Sequence, residues 1–363
     1  MLVTAVEARP LRSLAQARVE LGPGIVSLVG PNGIGKTNLL EALYFALTGR
    51  SFRSADRRDL IPFGESFARA EATVRDEDGI ERRLLASVSR AEGRRHLLDG
   101  SAADPTTISH SRPPVAVFAP DRLTLIKGPP AERRAHLDGF LAARWPARAD
   151  LRKRFGQTLA QRNALIGRIA SGRGTPGDLD VWDETMAAAA AALVAARLEA
   201  VSELAEPFAS AAEELGMEGA ATIEYAPRAT GSAAEIRAGL AERRDADVRL
   251  GRSSWGPHLD ELKIERDGRS LRRYGSQGQQ RAALLALLFA ERDTLLEARR
   301  VVPLLLLDDV MSELDPGRRE RLVERLATGG QALITAASMD SLPDRASGSV
   351  VRMPLVVAEA AAA

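Results

Sequence analysis

The chain has no cysteine and only four histidines among its 363 residues. The absence of cysteine excludes disulfide bonds, thiolate nucleophiles and zinc sites built on cysteine. The histidines His96, His110, His136 and His258 show none of the spacings typical of metal ligands. These chemistries are therefore set aside.

Lysine is also scarce, whereas arginine and alanine are abundant. It occurs only at Lys36, Lys127, Lys153 and Lys263, so a lysine at the one demanding position of a phosphate-binding motif is informative. The same bias makes arginine clusters an expected feature of solvated helix faces, and they do not by themselves indicate a nucleic-acid surface. The formal net charge of +1 neither demands nor excludes a polyanionic partner.

Long hydrophobic runs are missing as well. The start of the chain, Met1 to Arg12, has no continuous apolar signal segment, and the longest apolar stretches are too short to span a bilayer. With 45% hydrophobic and 27% charged residues, the chain is expected to bury one large core or two modest ones. We expect a soluble, cytoplasmic protein with no membrane partner.

The most informative segment is Gly30-Pro31-Asn32-Gly33-Ile34-Gly35-Lys36-Thr37. It follows a strand-like run, Ile25–Val29, and precedes a helix-like run, 38–47, which is the context of a phosphate-binding P-loop. The glycines let several backbone N–H groups converge on an anion, Lys36 reaches the β- and γ-phosphates, and Thr37 offers a hydroxyl to Mg²⁺. The alternative is a glycine-rich turn that opens a helix. We predict ATP binding by these eight residues and Asn38, with Lys36 also catalytic.

Two carboxylates follow an apolar strand in the second half of the chain. The run Leu304–Leu307 precedes Asp308 and Asp309. Such a strand end can supply both a magnesium ligand and a base that polarises the attacking water. We predict that Asp308 binds Mg²⁺ together with Thr37 and that Asp309 is the catalytic base. The alternative is a strand that ends in a solvated acidic turn.

A second candidate phosphate contact lies at Ser276, Gly278 and Gln279, directly before a strongly apolar helix. A serine and a glycine at a helix N-terminus present backbone donors and the positive end of the helix dipole. One γ-phosphate does not need two such cradles from one chain. We therefore expect the second cradle to act on the ATP of another copy, in a two-fold symmetric, ATP-dependent homodimer. The alternative is that Ser276 is only the helix N-cap.

Periodicity divides the chain into three segments. Residues 1–125 alternate strand-like runs with turns and one helix, and residues 126–220 form long stretches of helical period, broken by a glycine-rich loop at 171–177. Residues 221–363 return to alternating strands and helices. The pattern predicts an α/β domain split into N-terminal and C-terminal lobes, with a mostly helical subdomain inserted between them. The terminal run Ala360–Ala363 is expected to fray.

Several motifs resemble known families. Ser276-Gln277-Gly278-Gln279-Gln280 resembles the signature motif of ABC-type ATPases, and the stretch 308–315 resembles their Walker B motif and D-loop. More narrowly, five stretches resemble the RecF family of bacterial recombination mediators, which is related to the heads of SMC proteins. In chain order these stretches are 38–42, 49–53, 120–123, 133–138 and 256–258.

The resemblance covers essentially the whole chain. It implies a P-loop ABC-type ATPase head, ATP and Mg²⁺ as cofactors, and a slow, DNA-stimulated ATPase that serves a binding function. It also implies an ATP-driven dimer that clamps double-stranded DNA and single/double-strand junctions. With RecO- and RecR-type partners, such a dimer promotes recombinase loading at single-strand gaps. In the D-loop-like stretch, Glu313 and Asp315 are the alternative bases to Asp309.

Three positions depart from the family patterns. The stretch 335–338, Thr-Ala-Ala-Ser, stands where ABC transporters carry a histidine; Leu259 stands where RecF-like sequences have arginine; and the stretch after Phe118 offers Asp121 and no glutamine. The first departure favours a DNA-repair ATPase over the rival interpretation, an ABC-type ATPase subunit that drives a transporter or another complex. A nucleotide-dependent interaction protein with negligible turnover is a third interpretation.

Overall fold

The computed structural model describes residues 1–54, 56–300, 302–346 and 348–353, except for the side chains at positions 105, 106, 121, 299 and 313. The predicted frayed run Ala360–Ala363 and the side chains of Asp121 and Glu313 therefore lie outside the described residues.

The described strands are β1 Leu2–Ala8, β2 Ala17–Glu20, β3 Ile25–Val29, β4 Phe67–Arg75, β5 Glu81–Ser89, β6 Gly93–Leu98, β7 Ser101–Ala102, β8 Val115–Phe118, β9 Ala221–Ala226, β10 Glu261–Arg266, β11 Arg269–Ser270, β12 Leu304–Leu307, β13 Ala332–Ala336 and β14 Val350–Arg352. The described α-helices are α1 Lys36–Thr48, α2 Pro105–His110, α3 Thr124–Lys127, α4 Pro130–Arg144, α5 Leu151–Ala170, α6 Asp180–Glu214, α7 Ala233–Glu242, α8 Arg244–Leu250, α9 Leu271–Tyr274, α10 Gln277–Arg299 and α11 Pro316–Ala327.

Contacts divide the chain into two compact units. Unit 1 contains Met1–Arg122, Glu214–Gly216 and the described residues from Leu295 onward, and unit 2 contains Leu123–Glu213 and Met217–Thr294. Residues 221–294, which the three-segment prediction joins to the C-terminal lobe, therefore share a compact unit with the helical segment. The functional division into 1–125, 126–220 and 221–363 stays a prediction.

Unit 1 contains one parallel and one antiparallel sheet. The parallel sheet has the strand order β14-β3-β13-β12-β8. Strands β12 and β13 are buried at every residue, as expected for apolar runs in the middle of a parallel sheet. The antiparallel sheet has the order β2-β1-β4-β5-β6-β7, and β4 and β5 place alternate residues toward the core.

Helix α1 connects the phosphate-binding motif to the antiparallel sheet. It packs against β4 and β5 and buries Leu39, Leu43 and Leu47 completely. The helix ends at Gly49, which adopts a left-handed φ of 64° and donates its N–H to the Phe45 carbonyl. Glycine takes this conformation without the steric cost that a side chain brings.

Helix α6 corrects one expectation from the sequence. The segment Pro176–Glu214 is long and apolar enough to cross a membrane by length and composition, although apolar stretches were expected to be too short. Half of its apolar window is buried inside the protein. It also carries buried Arg197, whose guanidinium pairs with Asp138 at 2.8 Å. The apolar segment is therefore partly buried inside the protein and contains a buried ion pair.

Unit 2 is held together by buried ion pairs as well as by apolar packing. The guanidinium of Arg162 lies 2.7 Å from Asp183 and 2.6 Å from Asp247, and all three side chains are fully buried. Arg162 also donates to the Ser253 hydroxyl at 2.8 Å, and Arg244 supplies a second cation to Asp183 at 2.6 Å. This network ties α5, α6 and α8 together.

Replacement of Arg162 by methionine tests this network. Because the change leaves two buried carboxylates short of a partner, we expect unit 2 to lose about 3–5 kcal/mol of unfolding free energy. The three tryptophans of the chain, Trp145, Trp182 and Trp255, all lie in unit 2, so urea unfolding followed by their fluorescence reports on this unit. Arg154→Met, which breaks an exposed pair with Asp150 in the same unit, should cost less than about 1 kcal/mol. Equal effects of the two changes would contradict the assignment.

Candidate functional site

The candidate site lies at the carboxyl ends of the parallel strands in unit 1. Strand β13 lies between β3, which leads into the glycine-rich loop, and β12, which leads into Asp308. The register pairs Val29 with Ala336, and Leu307 with both Ile334 and Phe118. Loops at this edge of a parallel sheet commonly bind ligands, and here the two predicted motifs meet.

The loop from Gly30 to Thr37 requires its glycines. Gly33 and Gly35 have φ of 85° and 108°, in the region that favours glycine. An added Cβ at Gly30 would lie 2.9 Å from the Met353 carbonyl oxygen, and one at Gly35 would lie 2.9 Å from a methyl carbon of Leu14. Backbone conformation and close packing therefore both explain the glycine spacing.

Lys36 is held over the loop that precedes it. Its ammonium donates hydrogen bonds to the carbonyl oxygens of Gly30 at 2.6 Å and Pro31 at 3.1 Å. The residue is only 8% exposed. A buried ammonium beside the backbone donors of the loop and the N-terminus of α1 is suited to an anion such as a phosphate.

The carboxylate of Asp308 meets the Thr37 hydroxyl across the sheet edge. Thr37 Oγ1 lies 3.0 Å from Oδ1 and 2.9 Å from Oδ2 of Asp308. A third residue, Thr335 at the end of β13, donates its hydroxyl to Asp308 Oδ1 at 3.0 Å and accepts the Asp309 N–H at 2.7 Å. The sequence draws attention to Thr335 only as part of the stretch 335–338, where the histidine of ABC transporters is missing. Its role became visible because β13 lies between the two motif strands.

The donor set of Thr37 and Asp308 fits Mg²⁺. Both offer hard oxygen atoms, and Mg²⁺ is typically held by one or two protein ligands together with phosphates and water. Within the described part of the chain, no group of three or more His, Cys, Asp or Glu side chains could form an all-protein metal site. The predicted pair could therefore hold a magnesium ion that a bound nucleotide also ligates.

The environment of Asp308 disfavours its negative charge. Burial raises the pKa of Asp308 above the ordinary aspartate value, and the charge of Asp309 acts in the same direction. Hydrogen bonds from Thr37 and Thr335 oppose this rise without cancelling it. A cation beside the carboxylate would relieve the cost of keeping it ionised.

Asp309 differs from its neighbour in backbone and exposure. It has a left-handed φ of 50°, which is uncommon for a residue with a side chain and is often found at functional sites. It is half-buried, whereas Asp308 is buried. Its backbone carbonyl accepts the Ser312 hydroxyl at 2.9 Å. The two adjacent carboxylates therefore differ in exposure and in backbone conformation.

A buried glutamate on α1 organises the segment beside the loop. Glu41 is fully buried and receives two hydrogen bonds of 2.9 Å from Arg12. It also accepts the Ser51 hydroxyl at 2.5 Å. Arg53 lies 3.6 Å from the same carboxylate and donates to Asn38 Oδ1 at 3.2 Å. Arg12 gave no signal in the sequence, because nothing in its neighbourhood pairs it with Glu41.

In unit 2, Ser276 is the N-cap of α10. Its hydroxyl accepts the Gln279 N–H at 3.3 Å, and Gln279 Oε1 accepts the Ser276 N–H at 2.8 Å. This reciprocal pair is a capping box, so the alternative interpretation of Ser276 is present in the structure. Ser276 is nevertheless exposed, and Gly278 follows it in the first turn. A contact with a second copy stays a prediction.

Comparison with known proteins gives the family. Residues 2–353 match the RecF/RecN/SMC N-terminal domain. A DNA replication and repair protein RecF from Streptomyces avermitilis is 38% identical, over 96% of this chain and 97% of that protein. The chain belongs to the RecF family. A solved structure described as the recombination mediator protein RecF with ATP in the RecFOR pathway superposes with a TM-score of 0.85 at 26% identity, covering 94% of this chain and 93% of that one.

A more distant neighbour supports the same RecF-type fold. An SMC head bound to the C-terminal winged-helix domain of ScpA superposes with a TM-score of 0.57 at 16% identity, over 97% of this chain and 94% of that one. This likeness concerns the fold alone. The predicted fold class, an α/β ATPase head with a helical region, is confirmed.

Removal of the Lys36 ammonium should weaken ATP binding. Lys36→Ala deletes a charged contact worth roughly 1.5–3 kcal/mol, which corresponds to a roughly 10- to 150-fold higher Kd for ATP by calorimetry. Lys263→Ala, which removes an exposed lysine paired with Glu224, should leave the Kd unchanged. Equal ATP affinity in wild type and Lys36→Ala would refute the loop's assignment.

The raised pKa of Asp308 predicts a pH-dependent stability. Because the pKa is higher in the folded chain than in the unfolded one, the folded state binds more protons between the two values, and stability falls as pH rises through that window. Without nucleotide or Mg²⁺, we expect the unfolding free energy of wild type relative to Asp308→Asn to rise as pH falls through the folded pKa. Denaturant titrations at several pH values measure this. A wild-type advantage over Asp308→Asn that grows with pH would contradict the account.

Proposed function

We propose that this RecF-family chain is an ATP-dependent DNA-binding protein of recombinational repair and replication-fork maintenance. The observation that carries the proposal is the meeting of Thr37 and Asp308, 271 positions apart in sequence, in a chain that aligns end to end with a protein called a DNA replication and repair protein. The solved neighbour described with ATP supports ATP as the nucleotide.

The residues of unit 1 divide the work on ATP. The backbone N–H groups from Gly30 to Thr37 and the Lys36 ammonium bind the phosphates, and Asn38 borders them. Thr37 and Asp308 hold Mg²⁺, which supplies charge neutralisation of the phosphates when bound. Asp309, half-buried beside them, accepts a proton from the attacking water as ATP and water give ADP and phosphate.

The second half of the site comes from another copy. Ser276 and the N-terminus of α10, with Gly278 and Gln279, contact the γ-phosphate bound by the partner. Exposure of Ser276 and the partial positive charge at the N-terminus of a 23-residue helix support this role. ATP thereby joins two chains into a homodimer that clamps DNA, and slow hydrolysis opens it.

The clamp acts with other proteins at DNA junctions. We propose double-stranded DNA and single/double-strand junctions as its sites. We further propose that, with RecO- and RecR-type partners, it promotes recombinase loading at single-strand gaps in the cytoplasm. The neighbour described in the RecFOR pathway supports these partners.

Stimulation by DNA tests the function. Duplex DNA or a primed junction should raise the ATPase rate of the full chain, since the DNA-bound dimer is the state in which both composite sites are closed. Asp309→Asn should keep ATP affinity while turnover falls by roughly 10²–10⁴-fold, the range for a lost general base. An ATPase rate that no DNA changes would favour the rival, a subunit that powers another protein complex.

The shared site is tested through the oligomeric state. Sedimentation should give a monomer with ADP and a dimer with ATP for wild type, and a persistent ATP dimer for Asp309→Asn. Ser276→Arg should stay a monomer while it binds ATP normally. Ser232→Arg is the matched control, because Ser232 and Glu235 form the same capping box on α7, so both changes remove a cap worth about 1 kcal/mol. An ATP dimer of Ser276→Arg equal to that of Ser232→Arg would leave Ser276 as a helix cap only.

A further inference from the structure

Four arginines gather around the C-terminal end of helix α1 in unit 1. Arg50 follows the helix directly, and Arg57 belongs to the short helical turn that comes after it. Arg94 lies on strand β6, and Arg112 lies just before β8. Arg50 and Arg94 are exposed, whereas Arg57 and Arg112 are half-buried. We call these four residues the α1-end cluster.

Two of the surrounding side chains serve the helix itself. Arg57 Nε donates to the Gly49 carbonyl at 2.8 Å, and His96 Nε2 donates to the Ala46 carbonyl at 2.9 Å. These carbonyls carry the partial negative charge of the helix end and need donors. Burial lowers the pKa of His96, and the charges of Arg112 and Arg94 lower it further, so the imidazole is neutral at pH 7. Helix capping therefore explains Arg57 and His96 but not the other three arginines.

The cluster lacks the acidic partners that other arginines of this chain have. Arg133 pairs with Glu261, Arg162 with Asp183 and Arg197 with Asp138, at 2.7–2.8 Å. Across the described residues, no carboxylate forms an ion pair with any member of the α1-end cluster. The charge of neighbouring Asp56 acts in the opposite direction at Arg57, but it forms no ion pair there, so the cluster keeps an excess of positive charge.

The hydrogen bonds of Arg57 and His96 bring their segments to the same end of α1, and the guanidinium groups there repel one another. Burial lowers the pKa of Arg57, and the charges of Arg94 and Arg50 lower it further. Burial likewise lowers the pKa of Arg112, and Arg50 adds to the effect. Arginine nevertheless stays charged in proteins. An arrangement that costs free energy in the isolated chain is repaid when an anion binds.

Protection of a sheet edge explains only part of the cluster. Strand β6 pairs with β5 along its length but with β7 only at Leu97 and Leu98, and inward-pointing charges on such an edge discourage pairing with other chains. Arg94 pairs opposite buried Val88 and so fits this role. Arg50, Arg57 and Arg112 lie outside the strands, and an edge function does not account for them.

We propose that the α1-end cluster binds the sugar-phosphate backbone of DNA. The inference rests on the proposed DNA-binding function and names the surface that performs it. Guanidinium groups match phosphate oxygens in a bidentate geometry; exposed Arg50 and Arg94 contact phosphates, and Arg57 and Arg112 strengthen the field around them. Since α1 has 13 residues, the cluster lies about 20 Å along the helix from the phosphate-binding loop and is separate from the nucleotide site.

Salt-dependent DNA binding by the full chain tests the proposal. With ATP present, the affinity for a fluorescein-labelled duplex is measured by anisotropy over a range of salt concentrations. Arg50→Ala with Arg94→Ala should weaken binding by about tenfold or more and reduce the slope of log K against log salt by about 2, close to 0.9 for each lost phosphate contact. The loss should be the same for unrelated sequences, because phosphate contacts carry no sequence information.

Matched variants separate the possible outcomes. Arg18→Ala with Arg75→Ala removes two exposed arginines of the same sheet that pair with Glu20 and Glu81, and it should leave affinity and slope unchanged. ATP affinity and the ATP-dependent dimer should be the same in both double variants.

Arg50 lies outside the sheet. The single variant Arg50→Ala should therefore still lower the slope by about 1, even if the loss of Arg94 in the double variant exposes the edge of β6 to self-association. A wild-type slope for Arg50→Ala and for the double variant would overturn the proposal and leave the proposed function intact. If wild type itself binds no DNA in the presence of ATP, both the proposed function and the proposed DNA-binding surface are contradicted.

Discussion

The buried carboxylate of Asp308 is the constraint on which the candidate site depends. Three elements position it. Thr37 at the start of α1 and Thr335 at the end of β13 donate hydrogen bonds to it, and strand β12 directly precedes it. Keeping it ionised in a buried position is unfavourable, and only oxygen donors and a bound cation offset that cost. The parallel sheet order, which puts β13 between β3 and β12, is what allows the three residues to meet.

Arginine occurs in two contrasting environments in this chain. Inside unit 2, Arg162 and Arg197 are saturated by carboxylates and fix helices to one another. At the end of α1, Arg50 and Arg94 have no such partner among the described residues. Since lysine is scarce, composition alone could not distinguish a structural arginine from a binding one. The distinction lies in whether a carboxylate accompanies the guanidinium.

The motifs were predictable from sequence because their chemistry is local. A glycine-rich loop between a strand and a helix, and an apolar strand that ends in two acids, specify their own context, and β3, α1 and β12 appear where they were expected. The partnership of Thr335 with Asp308, and that of Arg12 with Glu41, depends on strand order and on pairs 27 and 29 positions apart. Residues 221–294 gave strand and helix signals but no signal for the unit they join, since the packing partner of a segment is a tertiary property.

The central claim is that Thr37 and Asp308 hold one magnesium ion on ATP. A double-mutant cycle with Thr37→Ala and Asp308→Asn tests it most directly, by calorimetric affinities for ATP with Mg²⁺ and with a chelator. Two ligands of one ion should be strongly coupled, so the combined change should cost at least about 1 kcal/mol less than the sum of the single changes when Mg²⁺ is present, and the coupling should vanish with chelator. Additive losses in Mg²⁺, or a coupling that persists unchanged without it, would contradict the account.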